Sequence, residues 1–160
     1  MEQQLIADIA AVQRIADVRG VLERVCELTG MGFAAVARVT EDRWIACIVR
    51  DTIDFGMEPG DELQIRTTIC DEIRQSGEGV FIDHVREEPA WKTHPTPILY
   101  GFQSYISMPI LRADRSFFGT LCAIDPEPRT APLAGVVDAI KDLARHIATE
   151  LDGQRISAHR

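Results

Sequence analysis

The sequence predicts an α+β fold with a central antiparallel sheet of five to six strands. Three observations lead to this prediction. Segments at both ends of the chain, 2–28 and 132–151, carry apolar residues three and four apart, which is the spacing of one helix face. Two further segments, 33–49 and 105–124, read as strand pairs joined by polar turns. The terminal helices are therefore expected on one face of the sheet, with a short helix and loops on the other.

Two helical segments open the chain, followed by the first hairpin. The first segment runs from Glu2 to Ile15, and the second runs from Val18 to Leu28 before the helix stop Thr29-Gly30. Residues 1–17 are assigned to an N-terminal helix, and the domain proper is expected over 18–151. Two runs rich in β-branched and aromatic residues, Phe33–Val39 and Trp44–Val49, then predict two paired strands.

The middle of the chain combines two irregular stretches with a short helix and strand. Residues 51–64 contain glycine, proline and carboxylates without a sustained period, which indicates a loop. Thr67–Gln75 predicts a short helix in which Thr68 serves as N-cap and Asp71 follows as in a capping box. Val80–Asp83 predicts a strand, and residues 84–101 form the second irregular stretch.

A central hairpin and a long helix complete the predicted fold. Ile106, Met108 and Ile110 alternate with polar or small residues, and Phe117–Ile124 is almost wholly apolar, as expected for a strand covered on both faces. Gly119 marks a close approach to its backbone. The last helix begins near Pro132, and residues 152–160 are a tail or the start of a linker.

Composition and charge narrow the function classes. The 160 residues are 46% apolar and carry a net charge of -8, which predicts one domain without a nucleic-acid surface. No stretch has the length and apolarity of a membrane span or signal peptide, so a cytoplasmic protein is expected. Four scattered cysteines lack metal or redox spacing, and the sequence contains no complete catalytic constellation, so it is not predicted to be an enzyme.

Three segments in the right order resemble the GAF family of small-molecule sensor domains, which is related to the PAS domains. They are TTICDEIRQSGEGVFID from Thr67, PTPILYGFQSYISMPI from Pro95 and GTLCAIDPEPR from Gly119. The resemblance implies a ligand pocket between the sheet and the two irregular stretches. It also implies terminal helices that relay the bound state to an output module, such as a histidine kinase of a bacterial two-component system. No output module is recognisable, so the chain is either a fragment or a standalone module.

The residues expected to line this pocket lie in or beside the irregular stretches. An arginine could hold an anion, aromatic rings could stack on a ligand, and a cysteine in the first turn of the short helix could become a thiolate. The candidates are Phe55, Arg66, Cys70, His84, Trp91, His94, Tyr100 and Tyr105. The alternative for Trp91 and Tyr105 is that they fill the pocket.

The cofactor remains unknown from the sequence. Bilin-binding members of the family attach a tetrapyrrole through a cysteine that is often followed by histidine, but Cys70 is followed by Asp71, which disfavours a covalent bilin. The spacing of His84 and His94 matches no metal template and disfavours haem or a metal site. The asparagine-containing motif of cyclic-nucleotide-binding members is excluded, because the chain has no asparagine.

Two other functions stay open beside the sensor. Cys70 could serve a thiol-based redox sensor or an enzyme like the family's methionine sulfoxide reductases, although the stretch 84–101, where those enzymes carry partner cysteines, has none. The chain could also be a structural dimerisation module with a filled pocket. A parallel homodimer is expected through the terminal helices, at Leu5, Ile9, Val12, Val136, Ile140, Leu143 and Ile147.

Overall fold

The computed structural model describes residues 2–64 and 68–158 and contains one six-stranded antiparallel sheet. The strands are β1 (Phe33–Val39), β2 (Arg43–Asp51), β3 (Glu62–Gln64), β4 (Val80–Ile82), β5 (Ser104–Leu111) and β6 (Phe117–Asp125). The helices are α1 (Glu2–Gln13), α2 (Val18–Thr29), α3 (Ile69–Ser76), α4 (Pro89–Lys92), α5 (Pro95–Tyr100) and α6 (Val137–Ala158). The strand order β3-β2-β1-β6-β5-β4 places β1 and β6 at the centre.

The sheet separates two apolar clusters. On one face, α1, α2 and α6 pack against alternate residues of the central strands, among them Val36, Leu121 and Ala123. On the other face, α3 and the two long connections cover the remaining residues, among them Cys122 and Ile124. The α+β class and the placement of the terminal helices on a single face are therefore confirmed.

A β-bulge interrupts the pairing of β5 and β6. Ile110 pairs with Gly119 and Leu111 pairs with Phe117, so Phe118 is an extra residue in β6. A Cβ atom at Gly119 would collide with the carbonyl oxygen of Ala37 on β1. The expected close approach to this glycine is thus present, and the two central strands can pair there only because the side chain is absent.

The structure differs from the sequence-based prediction mainly in the connections. The segment 51–64 ends in β3, because three of its residues pair with the edge of β2. The stretch 84–101 contains α4 and α5, each of which begins at a proline that suits the first helical turn. Thr68 occupies the N-cap of α3, but its side chain makes no capping hydrogen bond, so the predicted capping box is wrong.

The apolar faces of the terminal helices pack largely against the rest of the same chain. Val12, Ile140 and Ile147 are fully buried beneath them and Leu5 is almost so, whereas the other three residues assigned to a dimer face, Ile9, Val136 and Leu143, are partly buried. A dimer formed by these helices must therefore use outward-facing residues.

A short 3₁₀ turn, Leu133–Gly135, follows Pro132 before α6 begins. None of the described helices combines the length and apolarity needed to cross a membrane.

Candidate functional site

Two adjoining spaces lie on the sheet face opposite the terminal helices. The outer cleft has a volume of about 610 Å³ and lies between the connection that follows β2 and the end of α5. The inner cavity has a volume of about 50 Å³ and lies between the sheet and α3. Six residues line both spaces, Phe55, Met57, Leu63, Tyr100, Phe102 and Ile124. A ligand could therefore occupy the cleft and extend one group inward.

The inner cavity has an almost entirely apolar wall. It is bounded by aromatic rings from three parts of the chain, including Phe33, Trp44 and Tyr105. Among the described residues that line it, none carries a charged side chain. An ion would lose its hydration there without gaining a counter-charge from these residues, so the cavity favours an uncharged group.

The Asp51 carboxylate organises the loop that forms one wall. Its Oδ1 atom accepts hydrogen bonds from the backbone nitrogens of Ile53 and Phe55 at 3.1 and 3.0 Å, and Oδ2 accepts one from Gly56 at 2.8 Å. Partial burial tends to raise the pKa of Asp51, but these donors outweigh it and hold the pKa below its usual value. The ionised carboxylate thereby fixes Phe55 over the cavity.

The rim of the outer cleft is acidic. Three carboxylates, those of Asp54, Asp61 and Glu62, lie among the lining residues, and no described lining residue is basic. Glu62 forms an ion pair with Arg43 at 2.7 Å, and the arginine hydrogen bonds lower the pKa of Glu62. The rings of Phe55 and Tyr100 stand 6.4 Å apart beside these groups. This rim disfavours the entry of anions.

Cys70 faces three hydroxyl groups at the base of the inner cavity. The residue lies in the first turn of α3 and is buried. Its Sγ atom is 3.2 Å from Thr120 Oγ1, 3.7 Å from the Tyr105 hydroxyl and 3.9 Å from Ser107 Oγ. Three hydroxyl groups thus surround the sulfur of a cysteine that lines the cavity, which makes Cys70 a candidate nucleophile.

A second cysteine lines the same cavity. Cys122 follows Thr120 by two residues on β6 and lies opposite Ser107 on β5. Burial, together with the nearby Cys70, raises the pKa of the Cys122 thiol, and burial also raises the pKa of the Tyr105 hydroxyl. The two remaining cysteines lie away from the cavity lining, where burial raises the pKa of Cys26 and raises that of Cys47 to about 12.

The structure brings together four of the eight residues predicted to line the pocket. Phe55 and Tyr100 line both spaces, whereas Cys70 and Tyr105 line the inner cavity. His84, Trp91 and His94 line neither space. The two histidines are the N-caps of short helical turns, and Trp91 lies within α4. Arg66 lies outside the described residues.

His94 makes local contacts at the start of α5. His94 occupies the N-cap of α5, where its Nδ1 atom accepts a hydrogen bond from the Thr96 nitrogen at 3.2 Å and its Nε2 atom approaches Glu72 at 3.3 Å. The Trp91 ring packs against it with a centroid distance of 5.0 Å. Within the described part of the chain, no group of three or more histidine, cysteine or acidic residues could hold a metal ion.

Several lining residues were missed by the sequence-based prediction. Trp44 and Cys122 face the cavity from predicted strands, and Phe102 lies between the second irregular stretch and the predicted central hairpin. The alternation of β6 contained the signal for one of them, because Leu121 and Ala123 face the terminal helices and Cys122 must then face the other way. The buried Nε1 atom of Trp44 has no hydrogen-bond partner among the described residues.

The site does not fit a covalently attached tetrapyrrole. Cys70 opens only into the inner cavity of about 50 Å³, far below the roughly 300–1,000 Å³ of sites for drug-sized ligands. The outer cleft is large enough for a drug-sized ligand, but none of the described residues that line it is a cysteine or histidine. The outer cleft, which has room for a large ligand, and the Cys70 thiol, which would have to attach it, are thus in different places.

Comparisons with known proteins agree on the fold. The family model for the GAF domain matches residues 14–151. The GAF domain of PixJ from Thermosynechococcus elongatus, in its blue-light absorbing form, has a TM-score of 0.69 and 13% identity, covering 99% of this chain and 93% of that one. A search of curated proteins gives no match.

Two further solved structures show how varied the proteins with this fold are. The GAF-B domain of DevS from Mycobacterium smegmatis has a TM-score of 0.64 and 15% identity, over 94% of this chain and 98% of that one. The free methionine-R-sulfoxide reductase from Neisseria meningitidis, solved with its substrate, has a TM-score of 0.65 and 14% identity, over 94% and 87%. Identities this low establish the shared fold and leave function to the site itself.

Proposed function

The chain belongs to the GAF domain family, and from that premise we propose that it is a signalling sensor domain that binds a small uncharged molecule. The ligand occupies the inner cavity and projects into the outer cleft. The bound state is relayed by the terminal helices to an output module, for which a histidine kinase is the proposed type.

The observation that carries the proposal is the apolar inner cavity joined to a larger acidic cleft. A single water needs roughly 10–15 Å³ of such space, so about 50 Å³ has room for a few non-hydrogen atoms. The uncharged wall favours an apolar or weakly polar group, and the acidic rim disfavours anionic ligands. The expected ligand is therefore neutral, with a small apolar end that enters first.

The central strand β6 offers a short path from the cavity to the opposite face. Thr120 contacts Cys70 at the base of the cavity, while Phe118 lies only two residues away under the terminal helices. A ligand shifts such an arrangement only by its different affinity for two states. The relay therefore requires that binding displace β6 or α3, on which the cavity wall depends.

Native mass spectrometry of the freshly purified protein tests ligand binding. We expect extra mass in the native spectrum that is lost on denaturation. Cys122→Leu, which fills the inner cavity, should abolish this mass, whereas Cys26→Leu, the same change outside the cavity lining, should retain it. Circular dichroism confirms that both variants fold. A bare chain in every spectrum would contradict the ligand proposal and favour a structural dimerisation module.

A second candidate function is a thiol-based redox sensor, which the shared cavity of Cys70 and Cys122 favours. In this reaction the Cys70 thiolate attacks a hydroperoxide, the alcohol or water leaves, and Cys70 becomes a sulfenic acid. The Cys122 thiol then attacks the Cys70 sulfur, and water leaves as the disulfide forms. Two thiols and one hydroperoxide thus give one disulfide, one alcohol and one water.

Peptide mapping after hydroperoxide treatment tests this second candidate. We expect a Cys70–Cys122 cross-linked peptide with the loss of two hydrogens, absent in Cys122→Ser and retained in Cys47→Ser. If all four thiols remain alkylatable after treatment, the redox function is wrong and the ligand proposal is unaffected.

A further inference from the structure

The ring of Phe118 lies on the face of the sheet that the terminal helices cover. The β-bulge turns this residue toward the helical face, where its side chain is almost completely buried. The guanidinium carbons of Arg38 and Arg112 both stand 5.0 Å from the ring centroid. One aromatic ring thus receives two cations, each at a distance typical of a cation–π interaction.

Each arginine binds a carboxylate from a different terminal helix. Arg38 Nε donates to Asp8 Oδ2 on α1 at 2.8 Å, and this aspartate is buried. Arg112 Nη1 lies 3.8 Å from Asp152 Oδ1 on α6, and Asp152 Oδ2 accepts a hydrogen bond from the Ala113 nitrogen at 2.9 Å. Asp8, Arg38, Phe118, Arg112 and Asp152 form a continuous series, which we call the arginine clamp.

The clamp is attached rigidly to the sheet. Arg38 Nη1 donates to the Phe118 carbonyl oxygen at 2.6 Å and to that of Val39 at 3.0 Å. Arg38 pairs with Gly119 across β1 and β6, where the missing side chain allows the strands to approach closely. The arginine can therefore not follow α1 outward without breaking backbone contacts of the central strands.

The charges of the clamp balance only when both helices are in place. Two cations near one ring repel each other, and each carboxylate screens its own arginine from the other. Loss of Asp152 removes a counter-charge of Arg112, which then competes more strongly with Arg38 for the Phe118 ring, and this weakens the hold of Arg38 on Asp8. Since the pairs are largely removed from solvent, salt screens these interactions only weakly.

We propose that the arginine clamp couples the docking of α1 to the docking of α6, so that release of either helix loosens the other. The coupling is a property of the free protein. Its use in signalling rests on the proposed function, but the coupling itself does not require a ligand.

Hydrogen exchange measured by mass spectrometry on the ligand-free chain tests the coupling. In Asp152→Asn we expect amide exchange in α1 to rise at least about threefold, and in Asp8→Asn we expect the same in α6. Peptides from β1 report global unfolding and serve as the internal reference. Asp142→Asn, which removes an exposed ion pair with Arg145 on the same helix, should leave α1 unchanged.

The ring is tested by Phe118→Met, which keeps an apolar side chain of similar volume but removes the aromatic face. In this background the effect of Asp152→Asn on α1 should disappear. The proposal is overturned if Asp152→Asn changes exchange only in α6, if it changes β1 and α1 equally, or if the cross-effect persists in Phe118→Met. None of these results depends on whether the cavity binds a ligand.

Discussion

Gly119 lies where the two central strands approach each other most closely. An alanine there would place its methyl group against the Ala37 carbonyl oxygen, which is backbone and cannot move aside cheaply. We expect Gly119→Ala to lower the free energy of unfolding by about 3 kcal/mol or more, measured by urea denaturation.

Gly20→Ala is the matched control for this substitution. Gly20 lies inside α2, and a Cβ atom there would meet no atom within 4 Å. Alanine should therefore stabilise the chain by about 0.5–1 kcal/mol through the lower entropy of its unfolded state. Equal effects at the two glycines would show that the strand contact is not what restricts Gly119.

Asp51 predicts a pH dependence of the loop over the cavity. Its folded pKa is lower than the unfolded value of about 3.9, so its contribution is fully present above about pH 4 and is lost as the pH falls through the lower folded pKa. Asp51→Asn should lower stability at pH 7 by about 1–2 kcal/mol and reduce the loss on acidification below pH 4.

Urea denaturation between pH 2 and pH 7 measures this difference. Asp54→Asn is the control, because Asp54 is an exposed residue of the same loop and no hydrogen bonds of its carboxylate to the loop are found among the described contacts. The stability of this variant should depend on pH as that of the parent protein does. A parent and an Asp51→Asn variant with parallel pH profiles would contradict the role assigned to the carboxylate.

The role of a residue was predictable where the backbone geometry allows only one residue type. Gly119 stood out because a glycine inside a wholly apolar strand implies a close neighbour. The position of His94 was not predictable, because a histidine in an irregular stretch can cap a helix, and the sequence does not indicate which helix forms. Trp44 was missed because its indole reaches the cavity from a framework strand, which depends on the packing of Leu63 and the loop beyond it.

At the scale of elements, Asp125 joins the end of β6 to the turn between α2 and β1. This buried carboxylate accepts hydrogen bonds from the Gly32 and Glu127 nitrogens at 2.9 and 2.8 Å and pairs with Arg129 at 3.3 Å. Asp125→Ala removes the acceptor of two backbone nitrogens and the carboxylate partner of Arg129, so we expect a loss of about 3–5 kcal/mol. Asp125→Asn, which keeps an acceptor, should lose less.

Chemical denaturation measures both variants beside Glu27→Gln, which removes one partner of the exposed Arg24–Glu27 pair. That control should change stability by no more than about 0.5 kcal/mol. An Asp125→Ala variant as stable as Glu27→Gln would mean that the junction contributes nothing.

The regular elements could be predicted because periodicity reports burial directly. β1 was predicted with its observed bounds, and the helices on the terminal face carry the three-and-four spacing of one buried side. The elements on the cavity face were less visible, because β3 has three residues and α4 has four, too few to show a period. That face also builds the site, which is why the site was harder to predict than the fold.

At the scale of the whole molecule, the surface of α1 bears on the proposed homodimer. Ile6 is 60% exposed on this helix, while the neighbouring Ile9 and Ala10 are partly buried. The inward side of α1 already packs against the sheet through Val12. The outward-facing Ile6 is therefore available for contact with a second copy of the chain. We therefore propose a symmetric dimer in which the α1 helices meet through Ile6.

Ile6→Glu should weaken this dimer. Each copy loses one buried isoleucine side chain at about 1.5–3 kcal/mol, so the symmetric dimer loses about 3–6 kcal/mol. This corresponds to a dimer Kd raised by about 100-fold or more, measured by sedimentation equilibrium. Ile98→Glu is the matched control, since Ile98 is 69% exposed on α5, an element of the opposite side of the sheet. The control should leave the Kd unchanged if the terminal helices form the interface. A chain that sediments as a monomer at every concentration would contradict the proposed dimer. An Ile98→Glu variant that weakens the dimer as much as Ile6→Glu would place the dimer interface elsewhere.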